Sequence, residues 1–430
     1  MGRIWLMGLY FFCSVAVAQQ AFPDSALVVD GIVVVGNETT KEYVILREMS
    51  IRVGGPLTTE LIDNDKGRIY SLELFNSVDI DYTCEGNRAT VFVRVSERWY
   101  IFPVPIIGFK YRDLEKLYYG LGIIHRNFRG RNEKVFASFA LGFDRWISLS
   151  YQNPKISADD DVFFQGYASQ SHLQNQNVAQ GLYDQRVSAL NATLGKRFGL
   201  YATFFGSFSY DRWSISDPME GRTASRTGID EFFSIGFRYL YDSRDVREYA
   251  TKGEVLSFSV TKFGLGWSEV DLLRHRFDLR GYRPLDDGLS VCARAFGSFI
   301  VGGVTPPYLQ SYFGYDERLR GYFKTVFQGE HSVGSSVELR IPVLLPRYLR
   351  LRTPYLPPEF SVWRYGLYIG VFADAGKIWY RTESFSRTPW RSGFGVGLHF
   401  LLPYSIVVRT ECALNNMGRR DLILDLGASF

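Results

Sequence analysis

The sequence predicts an α+β domain of order β-α-α-β-β over residues 26–98, then an all-β transmembrane barrel of about 16 antiparallel strands over residues 101–430. Three observations carry this expectation. The chain opens on an export segment, and its hydrophobic period changes to strict alternation near residue 100. Its 34 Phe, 27 Tyr, 8 Trp and 41 Gly supply the aromatic girdles and tight turns that a lipid-embedded sheet needs.

Arg3, the apolar run over residues 4–15 and the small-x-small pattern Ala16-Val17-Ala18 read as a secretory signal, so residues 1–18 are set aside. That run is too short for a spanning helix. With 49 Lys and Arg against 45 Asp and Glu, the balance of +4 is too small to argue for a nucleic-acid partner, and none is expected. Cys13 leaves with the signal, and Cys84, Cys292 and Cys412 lie far apart, without disulfide or metal-ligand spacing. His125, His172, His275, His331 and His399 are equally scattered. With no nucleophile motif and no glycine-rich phosphate loop, neither an enzyme, a metal nor a cofactor is expected.

In the first domain, residues 27–35 form a β-branched strand closed by the turn Gly36-Asn37. Residues 40–49 fit a short helix, Gly54-Gly55-Pro56 breaks it, and Thr58 caps a second helix running toward Leu74. Residues 78–83 and 89–97 then form a hairpin across Glu85-Gly86-Asn87. Trp99 and Tyr100 mark the junction and read as an interfacial anchor.

Beyond the junction, apolar residues recur at every second position. Phe394, Val396, Leu398 and Phe400 interleave with Gly393, Gly395, Gly397 and His399, and Leu422, Leu424, Leu426, Ala428 and Phe430 alternate with small or acidic residues. An apolar outer face and a polar inner face are what a membrane barrel requires. A soluble sandwich also alternates, but the export segment, the aromatic load and strands near ten residues long favour the barrel. After the signal there is no long apolar run for a spanning helix. Alternating segments begin near residues 102, 117, 133, 146, 161, 183, 201, 231, 253, 269, 288, 330, 365, 393, 405 and 421. The longest interruption, between residues 301 and 328, holds Arg318-Leu319-Arg320-Gly321-Tyr322.

Several of these strings resemble one family. Residues 32–37 ending in Gly36-Asn37, with Arg47-Glu48 and Gly55, are similar to the start of a POTRA domain. Asp242, Arg244, Asp245 and Gly253 resemble a mid-barrel turn signature, although Tyr249-Ala250 stands where an aromatic followed by proline belongs. Leu319-Arg320-Gly321-Tyr322 resembles a valine-arginine-glycine-aromatic loop signature, and Phe372, Asp374 and Gly376 an aromatic-x-aspartate-x-glycine strand. Together they resemble the BamA and TamA-like outer-membrane insertase superfamily, also called the bacterial surface antigen family, with one N-terminal POTRA domain.

By alternation, Phe372, Asp374 and Gly376 share one strand face. On the residues alone, Arg320 is a solvated loop charge or the bidentate partner of Asp374. The resemblance implies the second, a loop latched in the lumen, with Gly321 allowing close approach, Tyr322 packing on the wall and Arg318 tolerating change. It also implies that Phe430 is a barrel-insertion signal, and that the protein resides in the bacterial outer membrane. The implied function is assembly or insertion of unfolded outer-membrane or exported clients. The lipid bilayer and periplasmic accessory proteins are the other expected partners. A passive porin and a dedicated secretion transporter are the alternatives.

Overall fold

The computed structural model describes residues 27–427 apart from 111–113, 157–160, 176–180, 267, 315–316, 323–324 and 352–361. The expected signal over 1–18 and the terminal Phe430 lie outside the described residues.

The first domain runs β1 (Leu27–Val35), α1 (Glu42–Leu46), β2 (Pro56–Leu57), α2 (Thr59–Tyr70), β3 (Phe75–Glu85) and β4 (Arg88–Glu97). Its sheet order is β2-β1-β4-β3, with β1 parallel to β4 and the two-residue β2 added to the expected order. Val44, Ile45, Met49, Ile69, Leu74, Val91 and Val93 fill the core between helices and sheet. Each such side chain contributes about 1.5–3 kcal/mol.

Helix α1 is shorter than the expected 40–49 because α2 takes over the backbone that follows it. Asp65 accepts the Ser50 and Ile51 amides at 2.8 and 3.0 Å, and Arg68 Nε donates to the Glu48 carbonyl at 2.7 Å. Thr58 caps α2 as expected, its Oγ1 accepting the Leu61 amide at 3.2 Å. The helix stops short of Leu74, where Glu73 enters the left-handed region at φ 61°.

The second domain begins with β5 (Ile101–Phe109), β6 (Leu117–Phe128), β7 (Glu133–Gly142), β8 (Arg145–Asn153), β9 (Val162–Gln174) and β10 (Asp184–Phe198). It continues through β11 (Ala202–Ile215), β12 (Ile229–Asp242), β13 (Gly253–Phe263), β14 (Leu272–Pro284) and β15 (Ser290–Gly302). Two short strands, β16 (Ser311–Phe313) and β17 (Phe327–Gly329), pair with each other inside the next loop. The remaining strands are β18 (His331–Arg350), β19 (Val362–Trp379), β20 (Arg391–Leu402), β21 (Ile406–Asn415) and β22 (Arg420–Leu426). Sixteen of these strands form one sheet in chain order from β5 to β22, β15 lying beside β18. Every start falls within three residues of its expected place.

The alternation places side chains as anticipated. Phe394, Val396, Leu422, Leu424 and Leu426 face outward and are at least half exposed, whereas Glu338, Arg340 and His399 face inward and are fully buried. Among the described residues, β5 and β22 are the two ends of the sheet and are not paired with each other. Pro103 and Pro105 stand at alternate positions of β5, so their nitrogens point to one edge and can donate no ladder bond.

The first domain packs against one end of the barrel. Glu48 takes both Nη atoms of Arg197 at 2.7 and 2.8 Å, and Asn127 donates to Thr40 Oγ1 at 2.9 Å. A Cβ on Gly67 of α2 would lie 2.5 Å from the Asp245 carbonyl oxygen, so the helix meets the β12–β13 turn without a side chain between them. Tyr100 is not an interfacial anchor: it packs on the first domain's core, with its hydroxyl 3.0 Å from Thr40 Oγ1.

Candidate functional site

The loop between β15 and β18 turns back into the barrel, and burial of its tip explains how. Leu319 and Tyr322 pack with Phe296, Phe313 and Ile378, supplying an apolar seat beside the strands. Gly321 lies at φ +95°, and a Cβ there would sit 3.2 Å from the Asn415 side chain and 3.3 Å from Gly393 Cα. The glycines of β20 and β19 make room on the other side. A Cβ on Gly393 would lie 1.9 Å from the Arg320 carbonyl oxygen, and one on Gly376 would lie 2.9 Å from Leu319. Asn415 Nδ2 donates to the Gly321 carbonyl at 2.7 Å, and the Tyr322 hydroxyl donates to Asn416 Oδ1.

This seat delivers Arg320 to Asp374. Its Nε and Nη2 donate to the two carboxylate oxygens at 2.9 and 2.7 Å, its own amide donates to Oδ2 at 3.0 Å, and its guanidinium lies 3.7 Å from the Phe372 ring centroid. Two further carboxylates, which the sequence did not single out, complete the site. Arg320 Nη1 donates to Glu338 at 2.5 Å and to Glu411 at 3.3 Å. Arg340 Nε donates to the other oxygen of Glu338 at 2.8 Å, and Arg409 Nη1 donates to Glu411 at 3.0 Å. Three guanidiniums thus offset three buried carboxylates.

His399, Glu338 and Glu411 bring three potential metal-ligating atoms within 4.8 Å of one another. Arginines already hydrogen-bond both carboxylates, so the chemistry of this cluster is that of an ion-pair network.

The network reaches the barrel end that carries the first domain. In the turn between β12 and β13, the Tyr249 hydroxyl lies 2.8 Å from His399 Nδ1, and His399 Nε2 lies 3.2 Å from Glu411. The Ala250 carbonyl accepts from Arg340 Nη1 at 2.7 Å, while the Arg340 guanidinium stacks 4.1 Å from the Tyr249 ring centroid. The Tyr249-Ala250 pair, a departure from the expected turn signature, is therefore the turn's contact with the latch.

The other sequence-singled residues separate into turn builders and domain contacts. Asp242 takes Arg244 in a bidentate pair at 2.9 Å for both bonds, and Asp245 accepts the Thr251 amide and hydroxyl at 3.0 and 2.6 Å. Gly253, at φ +106°, closes that turn. Gly36, at φ +90°, passes under the Val95 carbonyl, Asn37 Nδ2 donates to the Thr40 carbonyl at 3.0 Å, and the Gly55 carbonyl accepts the Val29 amide at 2.9 Å. Arg47 and Glu48 face the barrel instead. Arg318, expected to tolerate change, lies 3.7 Å from Asp425 of β22.

Comparison with known proteins follows this geometry. The Omp85 superfamily domain model matches residues 127–413, and the POTRA model, described as a surface antigen variable number repeat, matches residues 27–98. The outer membrane protein assembly factor BamA of Nitratidesulfovibrio vulgaris is 21% identical over 305 residues, covering 68% of this chain and 37% of that protein. The chain thus spans little more than a third of that relative's length. BamA from Haemophilus ducreyi lacking POTRA domains 1–3 shares 18% identity at a TM-score of 0.54, over 93% of this chain and 83% of that one. CdiB from Escherichia coli shares 12% identity at a TM-score of 0.59, over 94% and 76% respectively. These likenesses are of fold. The chain belongs to the Omp85 superfamily of outer-membrane proteins, with a POTRA domain on the periplasmic side of its 16-stranded barrel.

Proposed function

We propose that this protein assembles or inserts other proteins into the outer membrane, taking extended client segments on its POTRA domain and passing them along the β5–β22 seam. The observation that carries the reading is the sheet's two unpaired ends among the described residues, with Pro103 and Pro105 on β5. Unsatisfied backbone groups are costly in lipid, so a seam short of donors opens at lower cost than a ladder bonded throughout, and it offers an incoming strand a template.

The POTRA sheet supplies an entry edge. β2 pairs only with Leu27 and Val28, which leaves the Gly31–Val35 part of β1 as an uncovered edge among the described residues. Strand addition there recognises backbone and tolerates many sequences. No chemical step is needed; the working parts are hydrogen-bond exchange and lipid exclusion. Unfolded outer-membrane or exported proteins are the clients in this reading, and the bilayer and periplasmic accessory proteins act with them. A lumen filled by the Arg320 loop and faced by the POTRA domain weighs against a passive porin.

The test joins β5 to β22 through engineered cysteines, after Cys84 and Cys412 are replaced. Oxidation should halt client insertion, and reduction should restore it. Insertion that continues through a locked seam overturns the seam mechanism. Depletion followed by outer-membrane proteomics separates the two roles within the superfamily: broad loss of barrel proteins marks assembly, and loss of one exported protein marks secretion.

A further inference from the structure

The two edges of the seam differ in what they can bond, and the ladder beside each one shows how. The Arg126 amide donates to the Tyr100 carbonyl at 2.9 Å, and the β5–β6 register then runs without a shift from Ile101 opposite His125 to Phe109 opposite Leu117. In an antiparallel ladder, residues that exchange hydrogen bonds alternate with residues that point away. Even-numbered residues of β5 therefore bond to β6, and Ile101, Pro103, Pro105, Ile107 and Phe109 turn their backbone groups to the seam. Two of these five have no N–H. The Ile101 carbonyl is also engaged, accepting from Trp99 Nε1.

The other edge is complete. The Gly427 amide donates to the Val407 carbonyl at 2.7 Å, and the register continues unbroken from Val408 opposite Leu426 to Leu414 opposite Arg420. Arg420, Leu422, Leu424 and Leu426 thus face the seam, and every one carries an N–H. The Leu426 amide donates to Asp425 Oδ1 at 3.0 Å, whereas those of Leu422 and Leu424 meet no other strand among the described residues. All three leucine side chains point outward and are mostly exposed, so a strand laid here would extend the lipid-facing surface.

An unmade backbone bond is costly in lipid. A client strand on β22 finds donors and acceptors in step with its own. On β5 it would leave carbonyls opposite Pro103 and Pro105 without a donor, and proline on an exposed edge guards against such pairing. Strand sense then selects the segment that fits. β5 leads away from the POTRA junction, and β22, the last of sixteen antiparallel strands, runs back toward it. Antiparallel pairing with β22 requires a segment that runs outward from the periplasm, as the first strand does in a client barrel whose two ends lie in the periplasm. The last strand of such a client runs inward and would match β5. We propose that β22 is the capture edge of the seam and takes the outward-running first strand of a client barrel, while proline-interrupted β5 is the edge that gives way. This inference rests on the seam mechanism proposed above and adds which edge acts and on which client segment.

The test uses the full chain in proteoliposomes with Cys84 and Cys412 replaced. The client is a urea-unfolded eight-stranded barrel protein carrying single cysteines scanned along its first or its last strand. Leu424→Cys should form disulfides with the client's first strand about tenfold more often than Ile107→Cys does with its last. Pro103→Val combined with Pro105→Val restores the missing donors. That variant should close β5 on β22, slow insertion by about tenfold and remove the Leu424→Cys crosslink, with heat-modifiable gel mobility reporting an intact barrel. If it does not fold, the crosslinks in the proline-bearing protein decide. Preferential capture of the last strand on Ile107→Cys, equal capture on both edges, no capture on Leu424→Cys, or unchanged insertion in the folded valine variant overturns the proposal. The β5–β22 lock separates the two readings. Insertion that continues through the lock removes the seam mechanism itself, and insertion that stops there with capture on β5 removes only the choice of edge.

Discussion

At the residue scale, a guanidinium shared by three carboxylates behaves differently from one in a simple pair. Removing Arg320 takes from buried Asp374 its guanidinium partner and leaves Glu338 to Arg340 and Glu411 to Arg409, and breaking such a buried pair costs about 3–5 kcal/mol. Arg320→Ala should therefore release the loop, seen as faster protease cleavage within residues 303–330. Arg320→Lys should give a smaller effect, because it keeps the charge and loses the fork. The same crowding changes what a charge exchange between positions 320 and 374 should do. An aspartate at 320 would face Glu338 and Glu411, so the exchanged double variant should stay as protease-sensitive as the single ones. Full rescue would mean that those two glutamates contribute little.

At the element scale, the latch depends on a glycine-lined face of β20 and on a turn that reaches up from the periplasmic end. Gly393→Ala places a methyl group against a backbone oxygen that side-chain rotation cannot move. It should expel the loop while the barrel stays folded, so that trypsin sensitivity appears at unchanged heat-modifiable mobility. Tyr249→Phe deletes the hydroxyl that touches His399 and keeps the ring under Arg340. Its expected cost is about 1 kcal/mol. Because Tyr249 reaches Arg320 through His399 and Glu411, a double-mutant cycle of Tyr249→Phe with Arg320→Lys, scored by loop cleavage, should be non-additive. Additive effects would separate the turn from the latch.

At the scale of the whole molecule, the POTRA domain is held to the barrel partly by the Glu48–Arg197 pair, and that contact carries a pH signature. Burial pushes the Glu48 carboxyl up, but the Arg197 hydrogen bonds and charge, with Arg47 nearby, hold it below its ordinary value of 4.5. A carboxylate depressed in the docked state contributes fully above the ordinary value, and its contribution is lost as pH falls through the depressed one. Protection against hydrogen exchange at the β10–β11 turn, taken relative to the intrinsic rate at each pH, should therefore hold near neutral pH and be lost only below the ordinary carboxyl value of 4.5. Glu48→Gln should exchange faster at neutral pH and lose most of that acid step. An acid step of equal size in Glu48→Gln would assign it to another group.

The sequence by itself determined the two-domain order, the sixteen strand positions and the inward or outward sense of each strand, because period and turn chemistry are local properties of the chain. It also carried Arg320 and Asp374, through strings that keep their form in isolation. Only the tertiary structure decided which charges meet. Glu338, His399 and Glu411 look like ordinary inward residues of separate strands, and Tyr249 like the aromatic of an ordinary turn. Curvature of the sheet and burial of the loop bring them into one network with Arg320 and Arg340. Arg318 turned out close to Asp425 for the same reason, and α1 came out shorter because side chains of α2 claim the backbone after it. Contacts of that kind join residues far apart in the chain, and local patterning carries no record of them.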